Sequence, residues 1–265
     1  LKGNIIKFPS ISVGATENAI LAAVSAKGNT IISNCAIEPE VKDMILFLNK
    51  IGCNINFIGK RKILIIGTTE FNNVNHEIIF DRIELGTYLI AGALVGKKII
   101  LNKVNPLIIK TEIKILKKMG VIMNVEKNRI IVFESKKLSS INIKTETYPG
   151  FPTDLQAQIM VLMSKATGKS KVKESIFENR FMHVPELRRM GAKINTKNNT
   201  AIITGPTNLS GAEVMATDLR ASVSLVLAAL VASNRTVINR VYHLDRGYEN
   251  LEKKLKKCKA SINRI

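Results

Sequence analysis

Apolar positions along the 265-residue chain recur in blocks that predict two kinds of helix. Residues 19–26, 88–95, 157–164 and 222–231 are so uniformly apolar that each predicts a helix buried on every side. Each is expected to close at a residue suited to a left-handed cap, respectively Gly28, Gly96, Gly168 and Asn234. A short β-rich run follows, as in Thr30-Ile31-Ile32 and Thr236-Val237-Ile238. Next come amphipathic helices with basic ends, for instance residues 41–50 and 185–189. In the first three cases two strands then form a hairpin, as in residues 194–196 and 201–204 across Lys197-Asn198-Asn199. The predicted order is β-α-β-α-β-β.

This order repeats. Gly52, Gly120, Gly191 and Lys259 follow one another at intervals of 68, 71 and 68 residues, and Gly28, Gly96, Gly168 and Asn234 at 68, 72 and 66. The two sets agree on a unit of about 69 residues, present four times. Apolar helices therefore belong inside, with sheets covering them, in an α/β fold. Lys259 stands where three units have glycine, which implies local strain or relaxed constraint. The fourth unit stops at Asn263-Arg264-Ile265, without the second hairpin strand, and the first residue is Leu1. Because folds usually cover an unpaired strand edge, both ends are expected to be cut.

Forty Lys and Arg against 21 Asp and Glu give a net charge of +19, which suits anionic partners (nucleic acid, a membrane surface or phosphorylated metabolites) or reflects plain composition, since Lys, Ile and Asn are abundant throughout the chain. Aromatic residues are only 5% and Trp is absent, so no surface that stacks unpaired bases is expected and nucleic acid is disfavoured as a partner. Cys35, Cys53 and Cys258 share no metal-ligand spacing and read as small buried residues of a cytoplasmic protein. The longest apolar run, residues 221–232, is short of the ~20 residues of a membrane span, so no membrane partner is expected. With no P-loop, dinucleotide fingerprint, nucleophile elbow or zinc spacing, neither cofactor nor metal is expected.

Four segments place polar residues just ahead of an apolar helix, where free N–H groups and the helix dipole receive anions. They begin at Ser12, Asp81, Phe151 and Ala216 and occupy equivalent places in the four units. Ordinary helix capping accounts for the same residues. The run Phe177-Glu178-Asn179-Arg180-Phe181 sets an arginine fork between two rings, suited to a carboxylate or phosphate, or to loop carbonyls. Asp245-Arg246-Gly247-Tyr248-Glu249 is its counterpart one unit later. His183 and His243 stand alone and read as structural.

Seven segments in order resemble the signatures of the UDP-N-acetylglucosamine 1-carboxyvinyltransferase family of enolpyruvyl transferases. They are Ser12-Val13-Gly14-Ala15-Thr16-Glu17-Asn18, Glu38-Pro39-Glu40, Asp81-Arg82-Ile83-Glu84-Leu85-Gly86-Thr87, Tyr148-Pro149-Gly150-Phe151-Pro152-Thr153-Asp154-Leu155-Gln156-Ala157-Gln158, the Phe177 run, Ala216-Thr217-Asp218-Leu219-Arg220-Ala221-Ser222 and the Asp245 run. They separate this family from its fold relative in the shikimate pathway. The resemblance spans the chain and implies the C-terminal two-thirds of such an enzyme, four of the six units of an inverse α/β barrel. Residues 1–78 would be one unit of the N-terminal globule and residues 79–265 the three-unit C-terminal globule, with substrates in the cleft between globules.

The implied reaction transfers enolpyruvate from phosphoenolpyruvate to the 3-hydroxyl of UDP-N-acetylglucosamine, the first committed step of peptidoglycan precursor synthesis. Asp154 matches the general base, and Arg180, Arg220 and Arg246 match arginines that hold substrate anions. Ser12, Val13, Gly14 and Ile176 match sugar-nucleotide contacts, and Asp218 matches a proton-transfer residue. Ser10 matches a further substrate-binding position, with serine where some members carry lysine for a phosphate contact. The family's general acid and its loop fall before Leu1, so an upstream segment or a separate N-terminal chain is the implied partner. None of the three cysteines takes the acid's place. The alternatives are an inactive remnant that binds the sugar nucleotide at most, and a basic nucleic-acid-binding protein.

Overall fold

The computed structural model describes residues 1–265, which form two compact units: Leu1–Ile79 with Thr147–Pro149, and Phe80–Glu146 with Gly150–Ile265. In the first, β1 (Ile5–Lys7), α1 (Val13–Ala23), β2 (Asn29–Ser33), α2 (Pro39–Lys50), β3 (Asn54–Gly59) and β4 (Lys62–Ile66) follow the predicted order. The sheet order is β1-β2-β4-β3, with β1 parallel to β2 and the other pairs antiparallel. Thr147–Pro149 joins this unit: Tyr148 N–H donates to Glu38 (3.2 Å), and Arg61 Nη2 donates to the Tyr148 carbonyl (2.7 Å).

The second unit holds three repeats. The first comprises α3 (Arg82–Val95), β5 (Ile99–Asn102), α4 (Lys110–Lys118), β6 (Met123–Val125) and β7 (Arg129–Val132), in sheet order β5-β7-β6. Its expected leading strand is absent, since residues 67–81 contain no strand. The second repeat is complete: β8 (Asn142–Lys144), α5 (Gln156–Lys165), β9 (Gly168–Lys173), α6 (Val184–Arg189), β10 (Lys193–Lys197) and β11 (Thr200–Gly205). Its order, β8-β9-β11-β10, and its strand directions match those of the first unit. The third repeat has β12 (Glu213–Met215), α7 (Leu219–Val231), β13 (Val237–Asn239), α8 (Tyr242–Asp245) and α9 (Leu251–Lys257), with only the parallel β12-β13 pair as sheet.

Helices α3, α5 and α7 pack against one another as the centre of the second unit. Nine of the ten residues of α5 are buried, in keeping with a helix apolar on every side. Each fully buried side chain the size of Leu, Ile or Met contributes about 1.5–3 kcal/mol, so this bundle dominates the unit's stability. Helix α1 departs from the expectation. Thr16, Ile20 and Ala23 are its buried residues, while Leu21 is 52% exposed. An apolar sequence is buried all round only where something packs on each side, and within the first unit α1 has neighbours on one side.

The two sets of landmarks behave differently. The closing residues Gly28, Gly168 and Asn234 do have positive φ, but they lie three to five residues beyond the helix ends, and Gly96 is extended at φ −85°. The amphipathic helices α2, α4, α6 and α9, by contrast, all end in one motif. Two residues past each end come Gly52, Gly120, Gly191 and Lys259, with φ of 111°, 94°, 94° and 69°. The next N–H reaches back to Leu48, Leu116, Leu187 and Leu255 at 2.9–3.1 Å, the six-to-one bond of a Schellman cap.

Candidate functional site

Three of the four segments that precede apolar helices end in side-chain caps. Ser12 Oγ accepts from Ala15 N–H (3.2 Å), Asp81 Oδ1 from Ile83 N–H (2.7 Å), and Asp218 Oδ1 from Arg220 N–H (2.8 Å) and Ala221 N–H (3.0 Å). Asp154 is different. It sits in a 3-10 turn, Thr153–Leu155, ahead of α5, and its carboxylate caps nothing. Its Oδ1 accepts from Arg180 Nη2 at 2.6 Å and its Oδ2 from Arg220 Nη2 at 2.9 Å.

Arg220 lies in the first turn of α7, and Arg180 in the loop between β9 and α6, with its guanidinium 4.8 Å from the Phe177 ring centre. One carboxylate faces two guanidiniums, so the centre keeps a positive excess. Burial pushes the Asp154 pKa up, but the Arg220 hydrogen bond and charge, then Arg180 and Arg82, outweigh it and hold the carboxyl below its ordinary value. Arg220 Nε is buried and makes no hydrogen bond, which leaves a donor unused at the same place. A partly buried cationic cradle of this kind receives carboxylate or phosphate, and its acid cannot neutralise it.

Glu174, which the sequence reading passed over, braces the centre. It is 1% exposed and accepts from Thr145 Oγ1 (2.8 Å), Thr153 Oγ1 (2.9 Å), Ile176 N–H (2.8 Å) and Phe177 N–H (3.2 Å). It thereby ties the turn bearing Asp154 to the loop bearing Arg180. A signal was present: Ser170, Val172 and Glu174 share the inward parity of β9, where a carboxylate needs donors around it. A second network joins Thr87 Oγ1 and Tyr248 Oη at 2.8 Å, with Gln158 Nε2 reaching both as well as the Asp154 carbonyl.

Among the other sequence candidates, Ile176 joins this assembly through Glu174, and Asp218 through the backbone of Arg220. Arg246 is exposed and makes no ion pair; its neighbour Asp245 holds Arg264 instead. Ser10, Ser12, Val13 and Gly14 belong to the first unit, at and before the start of α1. His183 is 2% exposed beside Met160 Sδ (3.4 Å), the structural setting expected for it. Cys35 and Cys53 are buried as expected, whereas Cys258, one residue past the end of α9, is exposed. No three His, Cys, Asp or Glu side chains gather in a metal-binding group. A cavity of about 890 Å³ lies apart from Asp154, between α3, α7 and the last residues of the chain.

Buried helices enclosed by repeated sheets are the architecture this chain shares with enolpyruvyl transferases. The chain belongs to the EPSP synthase (3-phosphoshikimate 1-carboxyvinyltransferase) family, which residues 1–255 match. Over its whole length it is 58% identical to the UDP-N-acetylglucosamine 1-carboxyvinyltransferase of Pelagibacter ubique (strain HTCC1062), of which it covers 64%. It is 48% identical to the enzyme of that name from Caulobacter sp. (strain K31), covering 62%, and 49% identical to that from Rickettsia bellii (strain OSU 85-389), covering 63%. The chain thus spans a little under two-thirds of these relatives.

Among solved structures, the enolpyruvyl transferase NikO from Streptomyces tendae superposes with a TM-score of 0.87 at 29% identity, over 94% of this chain and 60% of that one. EPSP synthase from Acinetobacter baumannii shares the fold at 19% identity, with a TM-score of 0.76 over 97% of this chain and 63% of that one.

Proposed function

We propose that this chain carries the carboxylate-and-arginine part of a UDP-N-acetylglucosamine 1-carboxyvinyltransferase centre, acting in the cytoplasm in peptidoglycan precursor synthesis. The observation that carries the reading is Asp154 held between Arg180 and Arg220. In the reaction the sugar 3-oxygen bonds to C2 of phosphoenolpyruvate, C3 takes up a proton, and the hydroxyl proton passes to Asp154. Loss of phosphate, with a proton leaving C3, restores the double bond. Arg180 and Arg220 suit the carboxylate and phosphate on which charge accumulates.

Without substrate, Asp154 is a weak base because both arginines hold it ionised. A substrate anion that competes for those guanidiniums removes their support and adds negative potential, which raises the proton affinity of Asp154. The base therefore strengthens as the substrate arrives. Arg246, Asp218, Ile176, Ser10, Ser12, Val13 and Gly14 complete the substrate contacts in this reading. Residues 1–78 serve as a unit of an N-terminal globule and residues 79–265 as the C-terminal globule. The remainder of the relatives' length comes from further sequence or from a separate N-terminal chain.

The test is Asp154→Asn in the assembled enzyme. Phosphate release is expected to fall about 100-fold or more, while calorimetry finds the affinity for UDP-N-acetylglucosamine changed by less than about threefold. Sugar-nucleotide binding without turnover in the parent protein would favour the inactive-binder alternative.

A further inference from the structure

The second unit carries a charged surface that the Asp154 centre does not use. In the β8-β9-β11-β10 sheet, Ile143, Val172, Ile194 and Ile203 point into the core. The opposite parity puts Lys144, Lys169, Lys171, Lys173, Lys193 and Lys197 on the outer face, every one of them exposed. The strand register sets them in rows. Lys144 pairs with Lys173, across Thr200 from Lys197; Lys171 lies across Ile202 from Asn195; Lys169 lies across Thr204 from Lys193. With ~4.8 Å between strands and ~6.8 Å between alternate residues, six ammonium stems rise from a patch roughly 14 Å on a side. No strand residue on this face is acidic, and the carboxylate near it is Glu146, 3.2 Å from Lys144.

The architecture does not demand this charge. The sheet of the first unit has the same strand order, yet its outer face carries Lys7 and Lys62 among Ile5, Ile31, Leu64 and Ile66. An even spread of lysine through the chain would have made the two faces alike. Like charges at this spacing repel one another, so the cluster opposes folding until a counter-charge lies across it.

We infer that this sheet face adsorbs to an anionic lipid surface. Lysine is a hydrated point charge that needs no fixed partner geometry, which suits mobile headgroups. The face has no arginine fork and no aromatic ring, the groups that grip nucleic-acid phosphates and stack on bases. Each lysine close to an anionic leaflet strengthens binding about fivefold, less where salt screens it. No helix is long and apolar enough to cross a membrane, so the contact is adsorption. The lack of a span argues against insertion in a membrane and leaves adsorption through this charged face open.

Co-sedimentation of the 265-residue protein with phosphatidylglycerol-containing vesicles and with pure phosphatidylcholine vesicles tests the inference, with thermal unfolding run on every variant. The expected result is binding to the anionic vesicles alone, weakened by salt. The triple variant Lys169→Gln, Lys171→Gln, Lys173→Gln should lower the partition coefficient at least about tenfold. A charge-matched control, Lys114→Gln, Lys117→Gln, Lys118→Gln on α4, should lower it by less than about threefold. Equal losses in the two variants, no binding by the parent, or tighter binding to duplex DNA than to vesicles would each overturn the inference.

Discussion

Glu174 and His183 are both buried within reach of the same loop, and burial acts on them through different routes. Glu174 has four donors around one carboxylate. Glutamine at this position keeps the shape but turns an NH2 group toward hydroxyl and N–H donors. Glu174→Gln is expected to cost about 2–3 kcal/mol, read from urea unfolding. His183 offers a pH test. Burial, only partly offset by Asp218 and reinforced by Arg180, pushes its pKa down to about 4. In the unfolded chain an imidazole takes its proton near pH 6.5, so protonation favours the unfolded state first. The stability from this group is complete above about pH 6.5, falls by about 1.4 kcal/mol per unit toward pH 4, and is flat below. Between about pH 7 and pH 5 the parent should lose about 2 kcal/mol more than His183→Gln, as denaturant midpoints will report.

At the scale of elements, the Schellman caps allow a paired experiment. Lys259 makes the same bonds as its three glycine counterparts but has a side chain at φ 69°. Lys259→Gly should therefore raise stability by about 0.5–1 kcal/mol, whereas Gly191→Ala should lower it by about 1 kcal/mol, both measured by calorimetry. A methyl group at Gly191 would meet Asn208 O at an ordinary 3.4 Å, so the backbone angle alone is probed. These caps show why the repeats were legible in the sequence: each depends on local backbone geometry, which one residue type records. The burial of α3, α5 and α7 was legible too, since their composition is apolar throughout. The exposed side of α1 was not, because burial depends on what packs alongside. Nor was the site geometry, for Asp154 meets partners 26 and 66 residues away. The cap motif at each helix start suggested one role for four segments, and only folding shows that Asp154 is released from it.

For the whole molecule, a charge of +19 sets the response to salt. Raising the ionic strength from about 0.01 M to about 0.15 M shortens the screening length from ~30 to ~8 Å, so mutual repulsion fades. The midpoint of urea unfolding should rise over that range, the reverse of the trend for a protein held by surface ion pairs. The packing of α3, α5 and α7 decides how such unfolding proceeds. Repeat proteins built as linear stacks lose units one at a time, because each unit touches only its neighbours. Here each repeat of the second unit contributes one helix to a closed triangle, and each helix touches the other two. Removing one opens the core of both others. Amide protons in all three helices should therefore exchange with solvent through a single shared opening, at one free energy.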